Sequence, residues 1–156
     1  VDKFLNDQKI QKELGVSKKW QPTNSEVYNA YNKYTAYNTT YFVTSLLDKG
    51  LKVLVMNGDQ DYITNFGGTE TWVLSLKGAD TYGEKLRGVP AVPVKFGGVE
   101  LGKMRALVYN NQARLALIEV TNSGHIIPYY KPSEVQQGFN AYLSGALWKR
   151  ALLQMP

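Results

Sequence analysis

The residues of this sequence best suited to proton transfer are two aspartates and the single histidine, and each follows an apolar run. Asp59 and Asp61 come shortly after residues 53–57, and His125 comes after residues 115–120. Each run is typical of a buried strand that ends in a polar turn. In open α/β sheets, catalytic groups collect in the loops after the carboxyl ends of strands. We therefore expect a carboxylate and an imidazole at one end of a sheet.

Each of these features also has a purely structural interpretation. Aspartates are common in turns because the carboxylate hydrogen-bonds its own backbone, and a lone histidine is more often structural than catalytic. In combination, an aspartate loop followed by a histidine loop matches the last two members of the order nucleophile, acid, histidine in α/β-hydrolases. The combination predicts an α/β fold and favours a catalytic role for the pair.

Composition limits the class of protein. A chain of 156 residues with 44% hydrophobic content is expected to form one compact domain. The net charge is +5, but the basic residues are scattered, so nucleic acid is not a predicted partner. No stretch approaches the length of a membrane span, and no leader-like segment opens the sequence. The absence of cysteine excludes a disulfide scaffold and, with a single histidine, also excludes a zinc cluster.

Hydrophobic periodicity predicts helices at both ends of the chain and strands between them. The helix over 41–49 is expected to turn Phe42, Leu46 and Leu47 inward. Ser133 to Gln136 is typical of a capping box at the start of the last helix. In chain order we predict helices within 2–16, from Asn24 and over 41–49, then a strand over 53–57 and a helix over 65–76. Residues 77–93 are expected to be mostly loop. Strands follow over 92–96, 104–109 and 114–120, and a helix over 133–147.

Three segments resemble motifs of the serine carboxypeptidase family. The first is VLVMNGDQDYITNFGGTETW, which is similar to a strand followed by G-D-x-D, two residues and C-N-x-x-G-x-x-x-W. The second is SGHIIPYYKP, which is similar to G-H-x-V-P-x-x-x-P. The third is FLNDQKIQKELGV, which is similar to the segment Y-L-N-x-x-x-V-Q-x-A-L of the family's cap region. They occur in the family's order and spacing across nearly the whole chain.

The resemblance implies the carboxyl-terminal part of an α/β-hydrolase sheet with part of a helical cap at the start of the chain. Residues 1–50 would form the cap segment and lead-in helix, and residues 51–156 the core. The implied activity is serine-type carboxypeptidase, which hydrolyses carboxy-terminal residues from peptides without a cofactor or metal. A lysosomal, vacuolar or secreted location is also implied, and the sequon at Asn38 would accept a glycan only in a secreted chain.

The resemblance also implies the roles of particular residues. Asp61 matches the triad aspartate and His125 the triad histidine, whereas Asp59 is expected to shape the turn. Asn65 and Ile126 match positions that line the substrate cleft, and Ile126 stands where a methionine usually helps to form the pocket for the leaving residue.

The nucleophile is missing from this chain, since the sequence contains no G-x-S-x-G elbow. The resemblance covers only the carboxyl-terminal part of such an enzyme. Several family members mature into a large chain with the serine and a small chain that resembles this one. We therefore expect a serine-bearing large chain as partner, and we expect this chain to be inactive alone.

The sequence departs from the family at Thr23 and Thr64, where members usually have cysteine, and small and large chains are usually joined by a disulfide. Such a bond is impossible here, so packing alone would hold a two-chain complex. The main alternative is a non-catalytic structural or binding subunit derived from this fold. A lesser one is a hydrolase in which the aspartate and histidine serve a partner's nucleophile of another type.

Overall fold

From residue 39 onward, the chain folds around a mixed four-stranded sheet. The computed structural model describes residues 1–152, with side chains for residues 1–149. In this part of the chain the strands are β1 (Lys52–Gly58), β2 (Val92–Phe96), β3 (Val99–Val108) and β4 (Arg114–Val120). They lie in the order β1-β4-β3-β2. β1 is parallel to β4, whereas β3 is antiparallel to both β4 and β2.

Short helices precede, connect and follow the strands. None of the helices described within residues 1–152 is both long enough and apolar enough to cross a lipid bilayer. They are α1 (Asp2–Leu5), α2 (Gln8–Glu13), α3 (Ser25–Asn32), α4 (Thr40–Asp48), α5 (Phe66–Val73), α6 (Tyr82–Arg87), α7 (Ile127–Tyr130), α8 (Pro132–Ser144) and α9 (Ala146–Leu152).

The chain divides into two units by its contacts, Val1–Asn38 and Thr39 onward. The first unit contains α1 to α3. Asn6, which follows α1, hydrogen-bonds the loop between α2 and α3. The side-chain oxygen of Asn6 accepts a hydrogen bond from the Trp20 amide at 2.8 Å, and its amide group donates to the Trp20 carbonyl at 3.2 Å. The second unit contains α4, the sheet and all later elements. A cap over residues 1–50 and a core over residues 51–156 stay a prediction about the complete protein.

Apolar side chains cover both faces of the sheet, as expected when helices pack on either side of parallel strands. Alternate residues of β4 point to opposite faces. Ala116, Ile118 and Val120 join a cluster that includes Leu147 and Trp148 of α9. Leu115 and Leu117 join a second cluster, formed with side chains of α4, α5 and α6. The α/β fold predicted from the sequence is confirmed, including the antiparallel pairing of β2 and β3.

Three local predictions were wrong, and each error has a physical reason. Residues 77–93, predicted to be mostly loop, contain α6. This helix forms because Tyr82 and Leu86 are buried, although its sequence has little helical periodicity. β3 begins at Val99, ahead of the predicted residue 104, because Gly97 and Gly98 adopt positive φ and make a tight turn.

The third error concerns the start of α8. This helix begins at Pro132, so Ser133 lies inside it and cannot act as the N-cap. The Ser133 hydroxyl oxygen instead accepts a hydrogen bond from the Gln137 side chain at 3.1 Å.

Several apolar side chains of α4 and α8 are exposed, among them Phe42 and Leu46, which were predicted to face inward. In α4 only Leu47 is buried, whereas Phe42 and Leu46 are exposed. In α8, Phe139 and Leu143 are also exposed. Both helices therefore pack one narrow stripe on the core and leave a second apolar stripe uncovered.

A buried hydrogen bond secures α6 against the sheet and gives a test of this packing. The Tyr109 hydroxyl donates to the Tyr82 carbonyl oxygen at 2.7 Å, and the two rings meet edge to face with centroids 4.8 Å apart. Tyr109→Phe in the complete protein should lower the free energy of unfolding by about 1 kcal/mol, because a buried hydrogen bond is lost. Tyr62→Phe is the control, since Tyr62 is 94% exposed. Equal losses in the two variants, measured by chemical denaturation, would contradict the assigned role of this bond.

Candidate active site

The loop after β1 holds the carboxylate of Asp61 in a fixed position. The Asp61 amide donates to the Gly58 carbonyl at 3.3 Å, which closes the turn. One carboxylate oxygen, Oδ1, accepts hydrogen bonds from the backbone amides of Ile63 and Thr64, both at 3.0 Å. The carboxylate thus bonds the backbone that follows it, as turn aspartates commonly do. This arrangement leaves the second oxygen, Oδ2, for side-chain partners.

The loop after β4 is joined to the Asp61 loop by backbone groups. The Gln60 amide donates to the Ser123 carbonyl at 3.0 Å, and the Asp59 amide donates to the Val120 carbonyl at 3.0 Å. The carboxylate of Asp59 accepts a hydrogen bond from the Ser123 amide at 3.1 Å. Asp59 was expected to shape its own turn, and in the structure its carboxylate bonds the other loop. These bonds fix the position from which His125 extends.

Gly58 allows the two loops to approach each other this closely. A Cβ atom at this position would lie 2.1 Å from the Ser123 carbonyl oxygen and 2.6 Å from that of Gly124. Real Cβ atoms do not come so near to backbone oxygens, so any side chain at residue 58 would separate the loops.

The imidazole of His125 meets the free oxygen of Asp61. Nδ1 of His125 lies 2.8 Å from Oδ2 of Asp61. The proximity expected from the two post-strand loops is therefore confirmed. The Asp61 side chain is only 5% exposed, whereas the His125 side chain is 64% exposed. Because an ionised carboxylate only accepts hydrogen bonds, we assign the ring proton to Nδ1, which leaves Nε2 free to accept a proton.

Local hydrogen bonds keep Asp61 ionised. They lower the pKa of Asp61 from its ordinary 3.8 to about 2, and the largest contribution is the side-chain hydrogen bond from Thr64. Burial acts in the opposite direction, and the hydrogen bond to His125 and the backbone amide of Thr64 lower the pKa further. The site therefore presents a carboxylate, and not a carboxylic acid, to the imidazole over most of the pH range.

Asn57 and Thr69 support the loop from within the core. The Asn57 side chain donates to the Thr64 carbonyl at 2.6 Å and accepts from the Thr69 hydroxyl at 2.7 Å. Both residues are buried. Neither residue was predicted from the sequence to belong to the site. Asn57 lies at the polar end of an otherwise apolar strand, and this position is the sequence feature that could have indicated its role in the site.

A cleft of about 370 Å³ opens beside the pair. The residues that line it include Asn57, Asp61, Thr64, Thr69, Trp72 and His125.

The two residues predicted to bind substrate, Asn65 and Ile126, directly follow Thr64 and His125 in the chain. Asn65 is the N-cap of α5, where its side-chain oxygen accepts a hydrogen bond from the Gly68 amide at 2.8 Å. Ile126 is exposed and follows His125 directly. For both residues, a role in substrate binding stays a prediction.

Two parallel strands of this sheet lead into a hydrogen-bonded aspartate and histidine, and apolar side chains cover both of its faces. This arrangement is that of the carboxyl-terminal part of an α/β-hydrolase. The family model described as serine carboxypeptidase matches residues 1–145 of the 156. The chain belongs to the serine carboxypeptidase family.

Individual relatives agree with this assignment. Carboxypeptidase Y of Schizosaccharomyces pombe is 29% identical over 154 residues, which are 95% of this chain and 14% of that protein. A vacuolar serine-type carboxypeptidase of Saccharomyces cerevisiae is 25% identical over 149 residues, which are 93% of this chain and 28% of the relative.

A solved structure gives the same fold. Kex1, a prohormone-processing carboxypeptidase from Saccharomyces cerevisiae, matches 94% of this chain and 31% of its own chain with a TM-score of 0.62 at 19% identity. At this identity the match shows the fold alone. The chain spans less than a third of the length of each of these three proteins.

Gly58→Ala tests whether the close approach of the loops sustains the site. The added methyl group would meet two backbone oxygens, so the variant of the complete protein should lose about 1–3 kcal/mol of unfolding free energy. Gly67→Ala is the matched control, because a Cβ atom there would lie 3.6 Å from Oδ1 of Asn65, which is an ordinary contact. Chemical denaturation measures both. A Gly58→Ala variant as stable as Gly67→Ala would show that the approach is not required.

The lowered pKa of Asp61 predicts how its contribution to stability depends on pH. The folded-state pKa of about 2 lies below the ordinary value of 3.8, so folding favours the ionised form. This stabilisation is complete above pH 4 and is lost as the pH falls through the window from about 4 to about 2. The difference in unfolding free energy between wild type and Asp61→Asn should therefore shrink across that window. A difference that stays constant from pH 5 to pH 2 would contradict the assignment.

Proposed function

We propose that this chain supplies the aspartate and histidine of a Ser-Asp-His triad in a serine-type carboxypeptidase that removes carboxy-terminal residues from peptides. The observation that carries the proposal is the 2.8 Å contact between Nδ1 of His125 and Oδ2 of Asp61, in a chain that belongs to the serine carboxypeptidase family. The peptide substrate follows from the activity for which the relatives are named.

In this mechanism His125 moves the proton and Asp61 orients the ring. Nε2 of His125 takes the proton from the serine hydroxyl as the serine attacks the peptide carbonyl, and it returns the proton to the leaving amine. Asp61 stays ionised, holds the proton of the neutral ring on Nδ1 and stabilises the imidazolium that forms. The low pKa of Asp61 supports this role, since an ionised carboxylate stabilises the imidazolium by its charge, which a protonated carboxyl group lacks.

The nucleophile and the oxyanion hole come from a serine-bearing large chain, the amino-terminal half of the same enzyme. Two observations support such a partner. Among the described strands, β1 pairs only with β4, so its other edge is open to further strands. The apolar stripes of α4 and α8, which include Phe42 and Phe139, are exposed. Because the chain has no cysteine, these surfaces and not a disulfide would hold the halves together, and we expect the chain to be inactive alone.

The location proposed for the enzyme is a lysosome or vacuole, or the outside of the cell. The name of the vacuolar relative from Saccharomyces cerevisiae supports this location.

The alternative is a non-catalytic structural or binding subunit derived from this fold. The missing G-x-S-x-G elbow and the missing cysteines favour it. The intact hydrogen bond between Asp61 and His125 favours the enzyme, because a binding subunit has no need of a carboxylate that orients an imidazole.

A serine-directed phosphonate applied to the protein purified from its native source tests the proposal. A serine hydrolase should be labelled on a G-x-S-x-G serine, which lies in a co-purifying chain or in another part of a longer polypeptide. Failure of the complete protein to be labelled, with no G-x-S-x-G serine associated, would favour the non-catalytic alternative.

His125→Ala tests the role of the imidazole in the same enzyme. Loss of the general base should lower kcat by at least about 1,000-fold and abolish phosphonate labelling, without preventing assembly. Glu84→Ala on α6 is the control, because Glu84 is exposed and lies outside both the site and the apolar stripes of α4 and α8. Peptide hydrolysis measures turnover, and gel filtration measures assembly. Unchanged turnover in His125→Ala would remove this residue from the mechanism.

A further inference from the structure

The hydroxyl group of Thr64 touches both members of the catalytic pair. Its Oγ1 atom donates a hydrogen bond to Oδ2 of Asp61, the same oxygen that faces the imidazole. The same Oγ1 atom lies 3.1 Å from Nδ1 of His125. Three polar atoms, one from each residue, therefore form a closed triangle at the junction of the two loops.

We propose that Thr64 is a positioning residue, whose hydroxyl fixes the orientation and tautomer of His125 through its simultaneous contacts with Asp61 and the ring. The inference rests on the proposed function for its catalytic consequence. The positioning itself concerns only residues of this chain.

The proton count of the triangle determines which atom donates to which. A hydroxyl group has one proton and two lone pairs, and an ionised carboxylate can only accept. The Thr64 proton goes to Oδ2 of Asp61, because a charged acceptor binds a donor more strongly than a neutral ring nitrogen does. The short distance from Oγ1 to Nδ1 is then favourable only if Nδ1 carries a proton, which it shares between Oδ2 and Oγ1. Nε2 is left without a proton and can act as the base.

The same count of protons and lone pairs disfavours the alternative tautomer, in which Nε2 of His125 carries the ring proton. If the proton were on Nε2, the lone pair of Nδ1 would face the carboxylate of Asp61. The Thr64 hydroxyl could relieve this repulsion only by turning its proton from Asp61 to the ring, which would remove a hydrogen bond from a buried carboxylate. Thr64 therefore makes the catalytically useful tautomer the one that satisfies all three residues.

The backbone of Thr64 is held on both sides, so its hydroxyl has little freedom to leave the triangle. The Thr64 amide donates to Oδ1 of Asp61 at 3.0 Å. The Thr64 carbonyl accepts from the buried side chain of Asn57, which is bound in turn by Thr69 of α5. The branched Cβ of threonine further restricts rotation of its side chain. The position is thus tied to the core although Thr64 itself is exposed.

Two substitutions separate the hydroxyl from the shape of the side chain. Thr64→Val keeps the shape and removes the hydroxyl, whereas Thr64→Ser keeps the hydroxyl and serves as the matched control. Thr64→Ala is a second variant without hydroxyl, for use if valine prevents folding. All are made in the complete protein, with wild type measured beside them.

Nuclear magnetic resonance of nitrogen-labelled histidine reads the position of the ring proton directly. The signal of His125 is identified by its loss in His125→Gln. Wild type and Thr64→Ser should show a slowly exchanging Nδ1 proton in the far downfield region. Thr64→Val and Thr64→Ala should lose or shift that signal, and their two ring nitrogens should move towards averaged shifts. An unchanged Nδ1 signal in both variants without hydroxyl would overturn the proposal.

Kinetics of peptide hydrolysis tests the catalytic consequence. Loss of the hydroxyl should lower kcat by about 10- to 100-fold, the effect of one hydrogen bond to a charged group, with KM changed less than about threefold. Thr64→Ser should restore kcat to within about threefold of wild type. A change in the ring signal without a change in kcat would overturn the positioning role in catalysis. If wild type is inert towards peptides and phosphonates while the ring signal still depends on Thr64, the proposed function fails and the positioning stands.

Discussion

The site depends on the parallel register of β1 and β4. Each residue of β1 from Lys52 to Gly58 pairs with one of β4 from Arg114 to Val120, so the two strands end at the same level. The loops that leave them therefore start side by side, and a few backbone hydrogen bonds are enough to join them. A slip by one residue would reverse the faces of all the β4 side chains and move the histidine loop along the sheet. Burial of β4 on both faces stabilises the register and, through it, the distance between Asp61 and His125.

Much of this arrangement could be predicted from the sequence, because its signals are local. The apolar runs of β1 and β4 and the polar turns after them are visible as patterns, and so are Asp61 and His125. α6 was missed because Tyr82 and Leu86 form a helix through tertiary packing rather than through periodicity. Thr64 was seen only as a position where the family usually has cysteine. Its contact with both members of the pair depends on two loops that are distant in sequence, and no local pattern encodes such a contact.

Family membership and geometry support each other but answer different questions. The match over residues 1–145 identifies the lineage, whereas the hydrogen bonds among Asp61, Thr64 and His125 describe a specific capacity to orient and accept a proton. The loop that carries Asp61 and Thr64 is supported from the core by the buried side chains of Asn57 and Thr69. Exposed apolar stripes on α4 and α8 and the open edge of β1 lie on the same unit.

The contrast in exposure between Asp61 and His125 has a consequence for assembly. The carboxylate is enclosed by groups of its own chain, whereas most of the imidazole surface is open. Hence joining with the polypeptide that bears the nucleophile would require little ordering of the acid–base portion, and the associated loss of conformational entropy would be small. A boundary between protein segments at this place would leave the geometry of the carboxylate and imidazole within one segment, with the exposed part of the ring facing the other.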